Sequence, residues 1–177
     1  MVDEDMAVGF GHVMVIVEDD DGNWHYYSYG SGRSIISTLF LSSLGISVKA
    51  SFTSVDLGDS NGYNLSSFEG VKSFLTDNGA PGTASGMDEV YYLQGDFSES
   101  YEYADSLVAD ANSSTIPKYH LTRHNCMTLS VDILSKSIST LNDIQVDAIN
   151  SIKSARGLRA APNRNLKLMN NIGEMLK

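Results

Sequence analysis

The chain has 177 residues, of which 42% are hydrophobic and 19% charged. That length fits one compact domain, residues 1–177, able to bury a core without disulfides or metals. The proportions exclude a disordered tail, and apolar stretches such as Ile35–Leu44 are broken by Ser and Thr and too short to span a bilayer.

The formal charge of −10 divides unevenly: residues 1–115 hold 18 acids and 3 bases, residues 116–177 hold 4 acids and 9 bases. An acidic body repels phosphate backbones, so no nucleic-acid partner is expected. The opening Met1-Val-Asp-Glu-Asp is acidic, the opposite of a signal-peptide n-region, so no signal peptide is expected either.

In chain order, Phe10–Glu18 is β-branched and apolar and reads as a buried strand. Asp19-Asp20-Asp21-Gly22-Asn23 is a turn signal, and Trp24–Tyr29 is a second strand, which makes a β-hairpin. Ser34–Leu44 reads as a short helix stopped by Gly45. Alternation of Ile46, Val48, Ala50 and Phe52 predicts a third strand over Ile46–Leu57. Ser66-Ser67-Phe68-Glu69 has the form of a capping box opening a helix that ends at Asn78-Gly79. Pro81–Gly86 is a loop, Glu89–Gln94 a fourth strand, and Ser98–Asn112 an acidic helix. Tyr119–Leu121 is a short extended piece before a helix over Cys126–Ile138, whose Met127, Val131, Leu134 and Ile138 recur at helical spacing. A helical C-terminal extension covers about 142–177, its last helix starting near Pro162-Asn163. The fold class is α+β, an antiparallel sheet packed against helices.

Two places depart from ordinary core. His12 lies inside the most apolar strand, where an unpaired imidazole costs about 1–3 kcal/mol, so it is either a satisfied core histidine or a functional group. Cys126, the one cysteine, follows Asn125 at the head of an amphipathic helix. A helix N-terminus favours thiolate over thiol, and a nearby imidazole completes the ion pair that thiol hydrolases use. Tyr119 and Asn125 flank the thiol as orienting or oxyanion-donating groups, or as plain backbone caps. His120 and His124 form an H-x-x-x-H pair with no carboxylate nearby to complete a site, so no metal and no cofactor are expected. The Asp19–Asp21 run lacks the other ligands of a calcium loop and reads as a solvated turn. The tyrosines on strands, Tyr26, Tyr27, Tyr29, Tyr91 and Tyr92, read as core and rim.

The segment GHVMVIVEDDDGNWHYYSYG resembles the "GH–apolar strand, acidic turn, aromatic strand" opening of the permuted NlpC/P60-type papain-like proteins. Tyr119-His-Leu-Thr-Arg-His-Asn125-Cys126 resembles their "Y-x-L-x-x-x-N-C" element at the head of the nucleophile helix. The order also fits permutation, since Cys126 lies 114 positions after His12 whereas papain-like enzymes normally place the nucleophile first. The group includes lecithin:retinol acyltransferase-like enzymes, PPPDE-type peptidases and C-terminal domains of bacterial polymorphic toxins and secreted effectors. Trp24–Ser28 looks most like the toxin domains.

The resemblance implies a circularly permuted papain-like fold with a nucleophile helix starting at Cys126. It implies a thiol hydrolase or acyltransferase working through a thioester, with Cys126 as nucleophile and His12 as base. The substrates it implies are a peptide, a protein side-chain amide or a lipid ester. It further implies delivery into a target cell by a bacterial secretion system, with an immunity protein as partner.

Acyltransferase-like members carry a second histidine on the next strand, which points to His25 as the third residue. Strand alternation points to Ser28: a hairpin centred near Asp21 sets His12 opposite Gly30, with Ser28 one diagonal step away and His25 on the other face. The alternative function is a catalytically inactive papain-like binding module, or an acidic adaptor or immunity-type protein.

Overall fold

A computed structural model describes residues 2–3, 12–33, 35–57, 63–65, 67–78 and 93–153. The architecture is α+β. Strands β1 (Val2–Asp3), β2 (His12–Glu18), β3 (Trp24–Ser31) and β4 (Ala50–Asp56) form an antiparallel sheet in the order β1-β2-β3-β4. Because β1 has only two residues, the body of the sheet is the three longer strands. The helices are α1 (Ile35–Ser43), α2 (Phe68–Asn78), α3 (Ser98–Asn112), α4 (Cys126–Leu134) and α5 (Asp143–Lys153), with a 3₁₀ turn over Ser135–Thr140. No helix among the described residues is long and apolar enough to cross a membrane.

The β2–β3 hairpin is closed by Glu18↔Trp24, and pairing runs through Val17↔His25 to Met14↔Ser28. Its loop is organised by one carboxylate. Asp19 Oδ1 accepts the amides of Asp21 at 3.0 Å and Asn23 at 2.8 Å, while Gly22 takes φ +83°, a conformation open to glycine. The run of aspartates therefore builds the turn.

Both faces of β2 are covered, which is why its sequence is almost continuously apolar instead of alternating. Val13, Val15 and Val17 pack toward α3 and α4, with Tyr27, Tyr29, Leu107, Leu129 and Ile133. Met14 packs on the opposite face with Trp24, Tyr26 and, from α2, Val71 and Leu75. Each such side chain contributes about 1.5–3 kcal/mol by leaving water.

Helix α4 is buried on nearly all sides. Leu129 and Ile133 face the sheet, and Met127 and Val131 face Ala148 and Ile149 of α5.

Several boundaries differ from the sequence reading. The expected strand over Ile46–Leu57 begins at Ala50; Val48 instead makes an isolated bridge to Tyr119, with backbone bonds of 2.8 and 2.9 Å. The cap of α2 is Ser67, whose Oγ accepts the Gly70 amide at 3.2 Å, one residue along from the expected box; Ser66 lies outside the described residues. The helix expected over Cys126–Ile138 tightens into 3₁₀ geometry after Leu134, with non-helical dihedrals at Ser137. There the Ser137 hydroxyl is buried and bonded to Ser100 of α3, at 3.1 Å to its amide and 2.9 Å to its Oγ. Serving that helix–helix contact takes priority over continuing the α-helix. Gly45, φ +76°, stops α1 as its sequence suggests. Residues 81–86, 89–92 and 154–177, which carry the expected loop, most of the fourth strand and the last helix, lie outside the described residues; Leu93 and Gln94 are irregular.

Candidate functional site

Cys126 is the first residue of α4, and the chain upstream fixes it there. Asn125 is the N-cap: its Oδ1 accepts the Thr128 amide at 3.1 Å, and the Thr128 hydroxyl accepts the Asn125 amide at 2.8 Å, a reciprocal capping box. Asn125 Nδ2 donates to the Leu121 carbonyl at 2.6 Å. With its amide group committed to these bonds and fully buried, Asn125 orients the helix that presents the thiol. Upstream, His120 and His124 are paired in a tight bridge, His120 N–H to His124 C=O at 2.8 Å and the reverse at 3.0 Å. Tyr119 is held by Val48, and the preceding Pro117 carbonyl accepts the Tyr29 hydroxyl at 2.6 Å.

The backbone of Val13, Met127 and Cys126 itself and the Tyr119 hydroxyl lie where they favour a charged sulfur. These lower the thiol pKa, but Cys126 is only 2% exposed and burial outweighs them, so the thiol is pushed above its ordinary range. The expectation of a thiolate favoured by the helix terminus is thus overturned. The dipole and the donors are present, and desolvation of the charged sulfur wins. Burial likewise raises the Tyr119 and Tyr29 hydroxyls far above the usual phenol range, which keeps both as neutral donors.

His12 stands at the start of β2, and its Nε2 lies 2.8 Å from Ser28 Oγ. Ser28 pairs with Met14 in the register, two residues from the His12 level and on its face of the hairpin. His12 shares a face with Met14, whereas Val13 packs against Cys126. The His12 side chain therefore lies on the Met14 face of β2, and Cys126 packs on the Val13 face. The two are linked through Val13, which follows His12 in the chain and packs against Cys126.

His25 is elsewhere. It pairs with Val17, its Nε2 contacts Asp19 Oδ2 at 2.8 Å, and its ring lies 4.7 Å from that of Tyr101 on α3. The structure thus brings Cys126, Tyr119, Val13 and Asn125 together, pairs His12 with Ser28 at the open end of the hairpin, and leaves His25 at its far end.

Sequence reasoning missed two contributors. The tyrosine on β3 taken as plain core, Tyr29, lies 5.5 Å from the Tyr119 ring and 5.4 Å from the His124 ring, forming an aromatic wall beside the thiol. The Val13 contribution is from its backbone, with no residue signature at all. The Asn-x-x-Thr spacing of the cap was readable and points to the same helix start.

The Nε2 atoms of His120 and His124 are buried with no hydrogen-bond partner. The Thr122 amide donates to His120 Nδ1 at 3.3 Å, so neutral His120 carries its proton on Nε2 and offers no lone pair there for a metal. Burial lowers the pKa of both histidines. Among the described residues no group of three or more His, Cys, Asp or Glu could hold a metal ion.

Comparison with protein-family models, with curated proteins and with solved structures finds no match for this chain.

Proposed function

We propose that this chain is a cysteine-dependent acyl hydrolase or acyltransferase of circularly permuted papain-like fold, with Cys126 as nucleophile, His12 as base and Ser28 orienting the base. One observation supports the reading most: a sulfur at the head of a capped helix with the Tyr119 hydroxyl against it, in a core cluster with Val13, whose chain neighbour His12 has its Nε2 held by Ser28. In the reaction, His12 takes the thiol proton as sulfur attacks an acyl carbonyl. The new C–S bond forms the thioester, and the proton passes to the departing alcohol or amine. In this reading the amides of Cys126 and Met127 and the Tyr119 hydroxyl receive the oxyanion.

Burial pushes the thiol up, which favours a mechanism in which deprotonation accompanies attack, as in a serine hydrolase. The peptide, side-chain amide and lipid ester substrates remain within this reading, as do delivery by a bacterial secretion system and an immunity protein as partner.

The test is a stopped-flow burst with p-nitrophenyl butyrate, followed by mass spectrometry of the quenched protein. Wild type should release nitrophenolate with an acyl adduct on Cys126, and Cys126→Ser should show neither. A second reading, an inactive binding module, is favoured by the burial of the thiol, and absence of both burst and adduct in folded wild type would establish it over the enzyme.

A further inference from the structure

Residues 34–48 form the longest stretch of the chain without a charged side chain, within a protein of net charge −10. They make the excursion between β3 and β4: out along α1, around Gly45, and back to Val48. Phe40 is 64% exposed, Leu44 59% and Ile46 47%, while Leu39, Leu41 and Val48 of the same stretch pack on the core, so the excursion turns one apolar side to solvent. Such a cluster at one corner differs from scattered surface apolars.

The feet of the excursion carry the opposite character. The Gly32 amide donates to the Lys49 carbonyl at 2.9 Å, which places Arg33 beside Lys49. Lys49 and Lys118 are the next residues out from the mutually bonded Val48–Tyr119 pair. Arg33, Lys49 and Lys118 are all exposed, and none makes an ion pair with a described residue. Arg33 and Lys49, two of the three cations in the acidic first 115 residues, thus lie at the base of this uncharged stretch.

We infer that this corner is a docking surface for a phospholipid bilayer, with Phe40, Leu44 and Ile46 entering the acyl boundary and Arg33, Lys49 and Lys118 meeting headgroup phosphates. Apolar tips above a cationic collar match the layering of a bilayer interface, hydrocarbon below phosphate. A second copy of the chain fits poorly. Three side chains fall well short of the roughly 800 Å² per partner that a stable interface needs, and the collars of two copies would repel. The surface adjoins the candidate site, since the Ser42 hydroxyl of α1 accepts the Leu121 amide at 3.2 Å and Val48 holds Tyr119. It goes beyond the thiol chemistry and does not depend on it.

The experiment is co-sedimentation of the full chain with vesicles of phosphatidylcholine and phosphatidylglycerol in a four-to-one ratio. Wild type and Cys126→Ala should bind alike, which separates this proposal from the enzyme reading. Phe40→Ser with Leu44→Ser should weaken binding at least about tenfold. Lys49→Glu with Lys118→Glu should weaken it and flatten its salt dependence. Phe40→Trp keeps an apolar tip and should bind like wild type, with its indole emission shifting to the blue on vesicle addition. No binding by wild type, or binding unchanged in the serine variant, overturns the proposal. So does a concentration-dependent dimer that is lost in the serine variant while vesicles leave the Phe40→Trp emission unmoved.

Discussion

The two ends of the β2–β3 hairpin hold the same element and differ in everything around it. At the open end His12 Nε2 lies 2.8 Å from Ser28 Oγ; at the closed end His25 Nε2 lies 2.8 Å from Asp19 Oδ2. Taken as a histidine with an oriented ring, the closed end looks the better catalyst, because a carboxylate stabilises imidazolium more than a hydroxyl does. Yet it has no nucleophile, and its carboxylate is already organising a turn. The open end has the weaker partner, but the residue after its histidine, Val13, packs against the buried Cys126. An oriented imidazole is common currency for folding; what marks a site is the group it is oriented toward.

The largest expected effect separates these ends by activity. His12→Ala should lower ester turnover by about 10²–10⁴-fold, the usual contribution of a positioned base, while His25→Ala stays within a factor of about two. Ser28→Ala should fall between, near fivefold to tenfold for one hydrogen bond that orients the ring. Steady-state kinetics on the three variants measures all of this. Turnover lost in His25→Ala and kept in His12→Ala would exchange the roles of the two ends.

How much of this was legible depends on the kind of signal. The hairpin register follows from an apolar strand, an Asp-Gly turn and an aromatic strand, and Met14↔Ser28 is the pairing that spacing alone implies. The head of α4 is written in Asn125 and the apolar spacing behind it. What the sequence could not show is the sign of the thiol shift. Helix dipole and amide donors are local and readable, whereas burial comes from Val13 and α5, distant in the chain. The end of β4 near Val48 was misjudged for the same reason: alternation continues there, but Tyr119, seventy-one positions on, claims its backbone groups. The apolar residues of α1 fit a helix equally well whether it is buried or exposed, so periodicity said nothing of Phe40.

The next effect in size tests whether the open end is held from its helix. Asn125→Ala removes the N-cap acceptor and leaves the Leu121 carbonyl without its donor, which should cost about 1–2 kcal/mol of stability by urea denaturation. The same variant should lose activity beyond that cost, because the sulfur moves with the first turn. Equal stability with reduced turnover would assign Asn125 to chemistry instead of capping.

A smaller effect concerns the thiol itself. Burial raises its pKa, so at neutral pH less thiolate is present than in an unfolded cysteine peptide. Iodoacetamide should therefore modify native Cys126 more slowly than the urea-unfolded chain at pH 7, with the rate rising through a midpoint above the ordinary thiol value. A midpoint well below that value would mean a stored thiolate–imidazolium pair, and would replace attack-coupled deprotonation with a preformed nucleophile.

The smallest effect belongs to the closed end and asks what its histidine–carboxylate pair is for. His25 and the amides of Asn23 and Asp21 hold the Asp19 carboxyl far below the usual carboxylate range. A group whose pKa is depressed by folding adds stability above its unfolded value, near 3.9, and loses it as pH falls from there toward the folded value. Wild type should accordingly melt above Asp19→Asn at pH 6, and the two melting curves should converge as pH is lowered below about 4. Turnover at pH 7 should be the same in both, because nothing at this end reaches the sulfur. The gap should be modest, since Asp19 is near the surface and solvent screens its partners. Curves that stay apart at low pH would show that the turn depends on the shape of the Asp19 side chain, not on its charge. A parallel loss of turnover would show that the two ends of the hairpin are coupled through β2 and β3.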